Sequence, residues 1–324
     1  MKGSYHIIVQ NSRVKFEFDI KRNITIVKGD SATGKTTLLS MIETYDRLGP
    51  DSGIEVSCSR RCLVVTNATW EAVLDSVHEC IVFIDEENTV IKTVEFARKI
   101  RDTDNYYVIV TRENLPNLPY SVEEIYGIHN SGRYSDLRKT YNSFYRLYSL
   151  QPEIEKAVSE VIVEDSNAGY EFFRAAVGPE VHCESAGGKS NIREMLNQKS
   201  EVSILVIADG AAFGSEIGEL YLLMERRTNI SLYLPESFEW IILSSGLIDG
   251  KRIEEILRHP EEYVDSQEYF SWEQFFTKLL VQETVGTYLQ YSKQKLNGNY
   301  LNSKEKTALL EAAQVIRKII CAEE

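Results

Sequence analysis

The sequence predicts an α/β protein of two successive domains, the first built on a parallel sheet, followed by a mostly helical C-terminal region. Three patterns carry that prediction. The β-branched runs Cys62–Thr66, Ile81–Asp85 and Tyr106–Thr111 alternate with the helical stretches Thr69–Val77 and Val90–Arg101. Runs of that kind are buried on both faces of a parallel sheet, and the alternation is that of a layered α/β domain. A second alternation begins after about residue 150, and beyond Trp240 the apolar spacing turns helical. The expected divisions are residues 1–150, 151–245 and 246–324.

Taken in order, Tyr5–Gln10 and Val14–Ile20 alternate apolar and polar residues, the period of a half-buried antiparallel pair. Asn23–Val27 is a short apolar strand running into a glycine loop, and Thr36–Tyr45 is a helix. NLPNLP at Asn114–Pro119 breaks the pattern, and a Tyr-rich stretch from Tyr134 to Tyr148 leads to Gln151-Pro152 at the first boundary. Tyr141, Tyr145 and Tyr148 stand at i, i+4 and i+7, which predicts a packed helix face. Strands follow at Glu160–Val163, Glu180–Cys183 and Val202–Ala208, with helices at Gly169–Val177, Asn191–Gln198 and Glu216–Arg227. The last region reads EEILRHPEEYV, SWEQFFTKLLVQETVGTYLQY and KEKTALLEAAQVIRKII. Trp240 and Trp272 fall in apolar context and read as core anchors.

At 324 residues, 43% hydrophobic and 26% charged, the composition is globular, and the length suffices for two cores. No apolar run approaches a membrane span, and the opening MKGSYHIIVQNSRVKFEF lacks the unbroken apolar core of a signal peptide. The five cysteines (Cys58, Cys62, Cys80, Cys183, Cys321) are scattered and complete no zinc pattern, so reduced thiols and a cytoplasmic location are expected. The net charge of −13 is uneven. Residues 1–150 hold 19 Lys+Arg against 20 Asp+Glu, and the remainder holds 17 against 29. Such an acidic second half argues against a broad nucleic-acid surface, which needs clustered Lys and Arg.

Residues 29–36 read Gly29-Asp30-Ser31-Ala32-Thr33-Gly34-Lys35-Thr36, matching G-x-x-x-x-G-K-[ST] at every fixed position, with Thr37 next. The two glycines permit a backbone that turns successive N–H groups towards one anion, and the following helix adds its positive end. Lys35 is placed to reach β- and γ-phosphates, and the Thr36 hydroxyl to ligate Mg²⁺. Ile81–Ile84 then runs into Asp85-Glu86, about 50 residues after the lysine. Asp85 would hold Mg²⁺ through water and Glu86 would polarise the attacking water. The next strand ends Val110-Thr111-Arg112, where a polar residue would either sense the γ-phosphate or simply close the strand.

On these residues the first half resembles the P-loop NTPases, specifically the ABC/RecA-like ATPase superfamily, and the antiparallel strands before the loop look like those of ABC-type ATPases. The resemblance implies ATP and Mg²⁺ as ligands. No LSGGQ-like signature occurs and the gap leaves no room for the arm that carries it, which sets aside the trans-acting dimer chemistry of ABC proteins. The absence of N-K-x-D favours ATP over GTP.

In the second half, Glu160–Glu164 is a strand ending in an acid, followed by SNAGYEFF. Ile204–Gly214 reads ILVIADGAAFG and continues Ser215-Glu216-Ile217, and VHCESAGGKSNI lies between at Val181–Ile192. Across roughly residues 156–245 this resembles the TOPRIM domain of topoisomerases, primases and overcoming-lysogenization-defect (OLD) family nucleases. That pattern is a strand, D-x-D-x-x-G, then often G-E-A-I. Asp209, Gly214, Glu216 and Ile217 match, whereas the second aspartate is Ala211. Glu164 and Asp209, at the ends of neighbouring parallel strands, would meet at the carboxyl edge and share Mg²⁺, with Glu216 as a further ligand. Ala211 removes one ligand and impairs a two-metal site.

The resemblance implies an ATP-regulated, Mg²⁺-dependent nuclease of the ATPase–nuclease defence type, acting on nucleic acid, with Lys35, Glu86, Glu164 and Asp209 catalytic. The alternative is an ATP-driven switch whose degenerate TOPRIM-like domain binds a protein partner, a second copy or nucleic acid without cutting. A small-molecule kinase shares the loop, but Asp85-Glu86 and the lack of an arginine-rich lid stand against it.

Overall fold

The computed structural model describes residues 1–29, 34–130, 139–148, 158–199 and 202–313. The chain is α/β and divides into two compact units. Residues 1–148 and 260–271 form unit 1, and residues 149–259 and 272–324 form unit 2.

Unit 1 contains β1 (Tyr5–Gln10), β2 (Val14–Ile20), β3 (Ile24–Val27), α1 (Lys35–Leu48), β4 (Glu55–Ser57), β5 (Cys62–Val65), α2 (Trp70–Leu74), β6 (Ile81–Ile84), α3 (Val94–Arg101), β7 (Tyr106–Val110), β8 (Ile125–Asn130) and β9 (Thr140–Arg146). They form one mixed nine-stranded sheet, ordered β4-β1-β2-β9-β8-β3-β7-β6-β5. β1 pairs antiparallel with β2 and β4, and β8 with β9. The run β8-β3-β7-β6-β5 is parallel throughout.

The alternation read in β2 places Phe16, Phe18 and Ile20 in the core with Leu38, Leu39 and Ile42 of α1. In β3, β6 and β7 every residue is buried, which is why their sequences show no polar face. Within the Tyr-rich segment, Thr140–Arg146 is a strand and not a helix, and Tyr134 lies outside the described residues. Tyr141 and Tyr145 lie exposed on β9, while Phe144 between them stacks on Phe18 with ring centroids 4.0 Å apart. A spacing of four satisfies the two-residue period as well as the helical one, so the tyrosines share a face either way.

Unit 2 contains β10 (Glu160–Val163), α4 (Ala168–Ala176), β11 (His182–Ser185), α5 (Lys189–Gln198), β12 (Ile204–Ile207), α6 (Gly214–Arg226), β13 (Ile230–Tyr233), α7 (Phe238–Ser244), α8 (Lys251–Arg258), α9 (Trp272–Thr284) and α10 (Ser303–Ala312). Its sheet, β11-β10-β12-β13, is entirely parallel, and β10 and β12 are buried along their whole length. Helices connect successive strands, as parallel pairing requires. Trp272 is buried and Trp240 half-buried. Among the described residues no helix is long and apolar enough to cross a membrane.

Candidate functional site

In unit 1 the chain leaves β3 for α1, passes through β4 at one end of the strand order to β5 at the other, steps back through β6 and β7, and appears as β8 on the far side of β3. The carboxyl end of β3 is therefore a topological switch point, where open α/β sheets place their ligand sites. Gly29 (φ 145°) and Gly34 (φ 92°) stand at the two ends of the loop there. A Cβ on Gly34 would also come within 3.3 Å of the Phe16 ring, so both conformation and space require glycine. Asp30, Ser31, Ala32 and Thr33 lie outside the described residues.

α1 begins at Lys35, with its first bond from the Leu38 N–H to the Gly34 carbonyl at 2.9 Å. The Lys35 side chain is buried and its ammonium donates to the Gly29 carbonyl, turning back to the first glycine of the motif. Thr36 and Thr37 are exposed on the first helical turn. The Asn142 Oδ1 is buried without a hydrogen-bond partner among the described residues and would lie 4.0 Å from a Cβ on Gly34.

Asp85 and Glu86 follow β6 and are half-buried. The Glu86 N–H donates to Asp85 Oδ1 at 2.7 Å, and Glu86 Oε2 lies 3.2 Å from Arg112 Nε just beyond β7. Parallel pairing of β6, β7 and β3 puts this acidic pair and the glycine loop on the same sheet edge, and the Thr111 N–H donates to the Val27 carbonyl at 3.1 Å. Two further residues crowd the end of β3 that the sequence did not single out. The Lys28 ammonium donates to Asn114 Oδ1 at 2.7 Å, and burial lowers the lysine's pKa.

In unit 2, β10 and β12 are neighbours, so Glu164 and Asp209 stand side by side at the carboxyl edge. The Asp209 N–H donates to Glu164 Oε2 at 3.0 Å. Burial pushes the Glu164 carboxyl up to about 7, with the Glu273 charge adding to the shift and the Asp209 N–H opposing it. Asp209 is raised well above the usual carboxylate range by burial and by the charges of Glu273, Glu239 and Glu164. A cavity of about 20 Å³ is lined by Glu164, Asp165, Asp209 and Phe238, room for one water molecule or one bare cation.

Several further groups surround this pair. Glu239 of α7 is buried and accepts from the Tyr291 hydroxyl at 2.8 Å. Glu273 of α9 is paired with Lys293. Burial works against the Lys293 charge, but Glu273, Glu239 and Asp209 together raise its pKa. Lys189, in the Gly-Lys turn, donates to the Ala212 carbonyl at 2.8 Å, and burial lowers its pKa. Glu216 accepts from its neighbour Ser215 at 3.0 Å, and Ala211 is buried. No periodicity or spacing links residues 239, 273 and 293 to strand ends so far back in the chain, so only chain folding brings them in.

Among the described residues, the acidic and histidine side chains whose ligand atoms lie within 4.8 Å of one another are Glu160, His182 and Glu184. They occupy β10 and β11, and the Lys199 ammonium already bridges Glu160 and Glu184, lying 2.6 Å from Glu184. Glu164, Asp209 and Glu216 do not form such a set. Comparison with protein-family models gives no match, and comparison with curated protein sequences gives none either.

Proposed function

We propose that this chain is a Mg²⁺-dependent ATPase of the P-loop class whose second unit is a TOPRIM-like, metal-dependent phosphodiester site governed by the first. The observation that carries the reading is the strand–loop–helix at β3 and α1. The full loop motif follows β3 at a topological switch point, glycines with positive φ occupy two of its fixed positions, and Lys35 is bonded back to Gly29. In this reading Gly29–Thr36 cradles the phosphates, and Thr36 and Asp85 hold Mg²⁺, Asp85 through water. Glu86 orients the attacking water, with Arg112 holding the carboxylate in place. ATP binding would act on unit 2 to control attack on nucleic acid, as in ATPase–nuclease defence proteins.

Unit 2 supports its half of the proposal through Glu164 and Asp209, joined by a hydrogen bond beside a cation-sized cavity. Ala211 limits the site to one metal, since a single Mg²⁺ can still activate water from two carboxylates. Lys189 and Lys293 favour the alternative, a site that grips a phosphate-bearing partner without cutting it. The Lys189 ammonium senses Glu164, the Lys293 ammonium senses Asp209, and both sense Glu273, while Glu164 holds its proton near neutral pH.

One experiment separates these possibilities. Wild type, Lys35→Ala and Asp209→Ala are compared for thermal stabilisation by Mg²⁺-ATP, for ATP turnover and for Mg²⁺-dependent cleavage of single- and double-stranded DNA and RNA. Wild type should gain about 2.7 kcal/mol at a ligand concentration 100-fold above Kd. Lys35→Ala should lose both that gain and turnover while folding normally. Asp209→Ala should keep turnover and lose cleavage. Normal turnover in Lys35→Ala rejects the loop at Gly29–Thr36 as the site of hydrolysis, and absence of cleavage by wild type leaves unit 2 as a binding module.

A further inference from the structure

Cys58 and Cys62 stand on either side of the turn joining β4 to β5, and their sulfurs converge on one residue. The Arg60 N–H donates to Cys58 Sγ at 3.4 Å, and the Cys62 thiol donates to the Arg60 carbonyl at 3.8 Å. The turn is pinned from both sides. Arg60 pairs with Glu79 and lies over the Tyr5 ring at 5.8 Å, and Arg61 Nε lies 2.9 Å from Asp46 on α1. Cys62 is buried, whereas Cys58 is half-buried at the edge of the same core cluster. One sulfur is therefore open to a small reagent while the other waits behind it.

The thiol of Cys62 stabilises a thiolate at Cys58, and with the Arg60 and Ser59 amides it pulls the Cys58 pKa down to about 6. The same contact, with burial, pushes Cys62 in the opposite direction. The charged and titratable groups facing the pair are Arg60, Asp46 and Cys80. Cys80 and Cys183 differ from Cys58, because burial raises both thiols.

We infer that Cys58 and Cys62 form a hydroperoxide-oxidisable dithiol, with Cys58 the attacking sulfur and Cys62 the resolving one. The Cys58 thiolate attacks one peroxide oxygen and the O–O bond breaks. Cys58 becomes a sulfenic acid, and the departing oxygen leaves as water after taking a proton. With the thiolate charge gone, the Cys62 proton is no longer held by a neighbouring anion. Cys62 attacks the sulfenyl sulfur, the S–S bond forms, the S–O bond breaks, and the hydroxyl leaves with the Cys62 proton as a second water. Two thiols are oxidised and one peroxide is reduced.

The full chain is treated with hydrogen peroxide, capped with N-ethylmaleimide and digested with trypsin. Cleavage after Arg60 and Arg61, followed by a glutamyl endopeptidase that cuts after Glu71 and Glu79, leaves Cys58, Cys62 and Cys80 on three separate peptides, and a disulfide-joined pair of the Cys58 and Cys62 peptides is the expected product. Cys62→Ser should stop the reaction at a Cys58 sulfenic acid that dimedone traps. Cys58→Ser, a change at the core edge, should lower oxidation of Cys62 at least about tenfold. Iodoacetamide alkylation of Cys58 should rise with a midpoint near pH 6 and stay flat above about pH 7, while alkylation of Cys80 keeps rising. A disulfide to Cys80 instead, Cys62 oxidation unaffected by Cys58→Ser, or Cys58 alkylation still climbing at pH 9 would overturn the inference.

Discussion

Glu164 illustrates how a single side chain can be pulled in two directions. The Asp209 N–H favours its charged form, but burial and the Glu273 charge outweigh that one bond and leave the carboxyl near 7, against an ordinary 4.5. The consequence for stability has a definite sign. Below about pH 4.5 folded and unfolded chains both carry the proton. Between 4.5 and 7 the unfolded chain releases it and the folded one does not, so stability falls as pH rises, and the full penalty is present above 7. For this half-buried group the penalty is on the order of 1–3 kcal/mol. Glu164→Gln keeps the acceptor oxygen and removes the charge. Without divalent metal it should be more stable than wild type at pH 8 and equal to it at pH 4, read from urea midpoints. A variant less stable than wild type at pH 8 would mean that the carboxylate is stabilised where it sits.

At the scale of elements, the turn after β12 is set by how closely two backbones approach. The Gly210 N–H donates to the Pro235 carbonyl at 2.6 Å. A Cβ at 210 would lie 2.7 Å from the Leu234 carbonyl oxygen and 2.9 Å from that of Pro235, both backbone atoms that no side-chain rotation can move. Gly210→Ala must therefore separate the segments following β12 and β13, at a cost of about 1–3 kcal/mol, and it disturbs Asp209 next door. A change in unfolding free energy below about 0.5 kcal/mol would show that this approach is looser than the geometry implies. At Gly127 the outcome differs. Its close neighbour is the ring of exposed Tyr145, its cross-strand partner on β9, and a side chain can swing aside.

At the scale of the whole molecule, residues 260–271 belong to unit 1 although more than a hundred residues separate them from the rest of it. They are stitched in by backbone and side-chain bonds. The Gly3 N–H donates to the Glu261 carbonyl at 2.7 Å, the Ser266 N–H to the Met1 carbonyl at 2.9 Å, and Asn23 Nδ2 to the Phe270 carbonyl at 2.8 Å. A chain cut to residues 1–148 loses these partners, each worth roughly 1 kcal/mol. A peptide spanning 260–271 should bind that fragment and raise its melting temperature in a saturable way. No shift at millimolar peptide would mean that the segment rests on unit 1 without stabilising it. The expected division at residue 246 cannot register such a return, because a helical pattern identifies an element and not the unit it packs against.

The sequence by itself determined what depends on local pattern. The buried parallel strands β3, β6, β7, β10 and β12 were legible as short, largely apolar runs, because burial on both faces leaves no polar face. The glycine loop and the acids closing β6, β10 and β12 were legible for the same reason: their residue types sit at fixed distances from a strand end. Short β4 and the β8–β9 hairpin were not legible, since three residues carry little period and a tyrosine spacing of four fits helix and strand alike. Tertiary structure alone decided that Glu239, Glu273, Lys189 and Lys293 act on Glu164 and Asp209, that Arg112 pairs with Glu86, and that both cysteine sulfurs close on Arg60. Electrostatic coupling depends on distance in space, and these groups come together only once the strands have paired and the helices have packed against them.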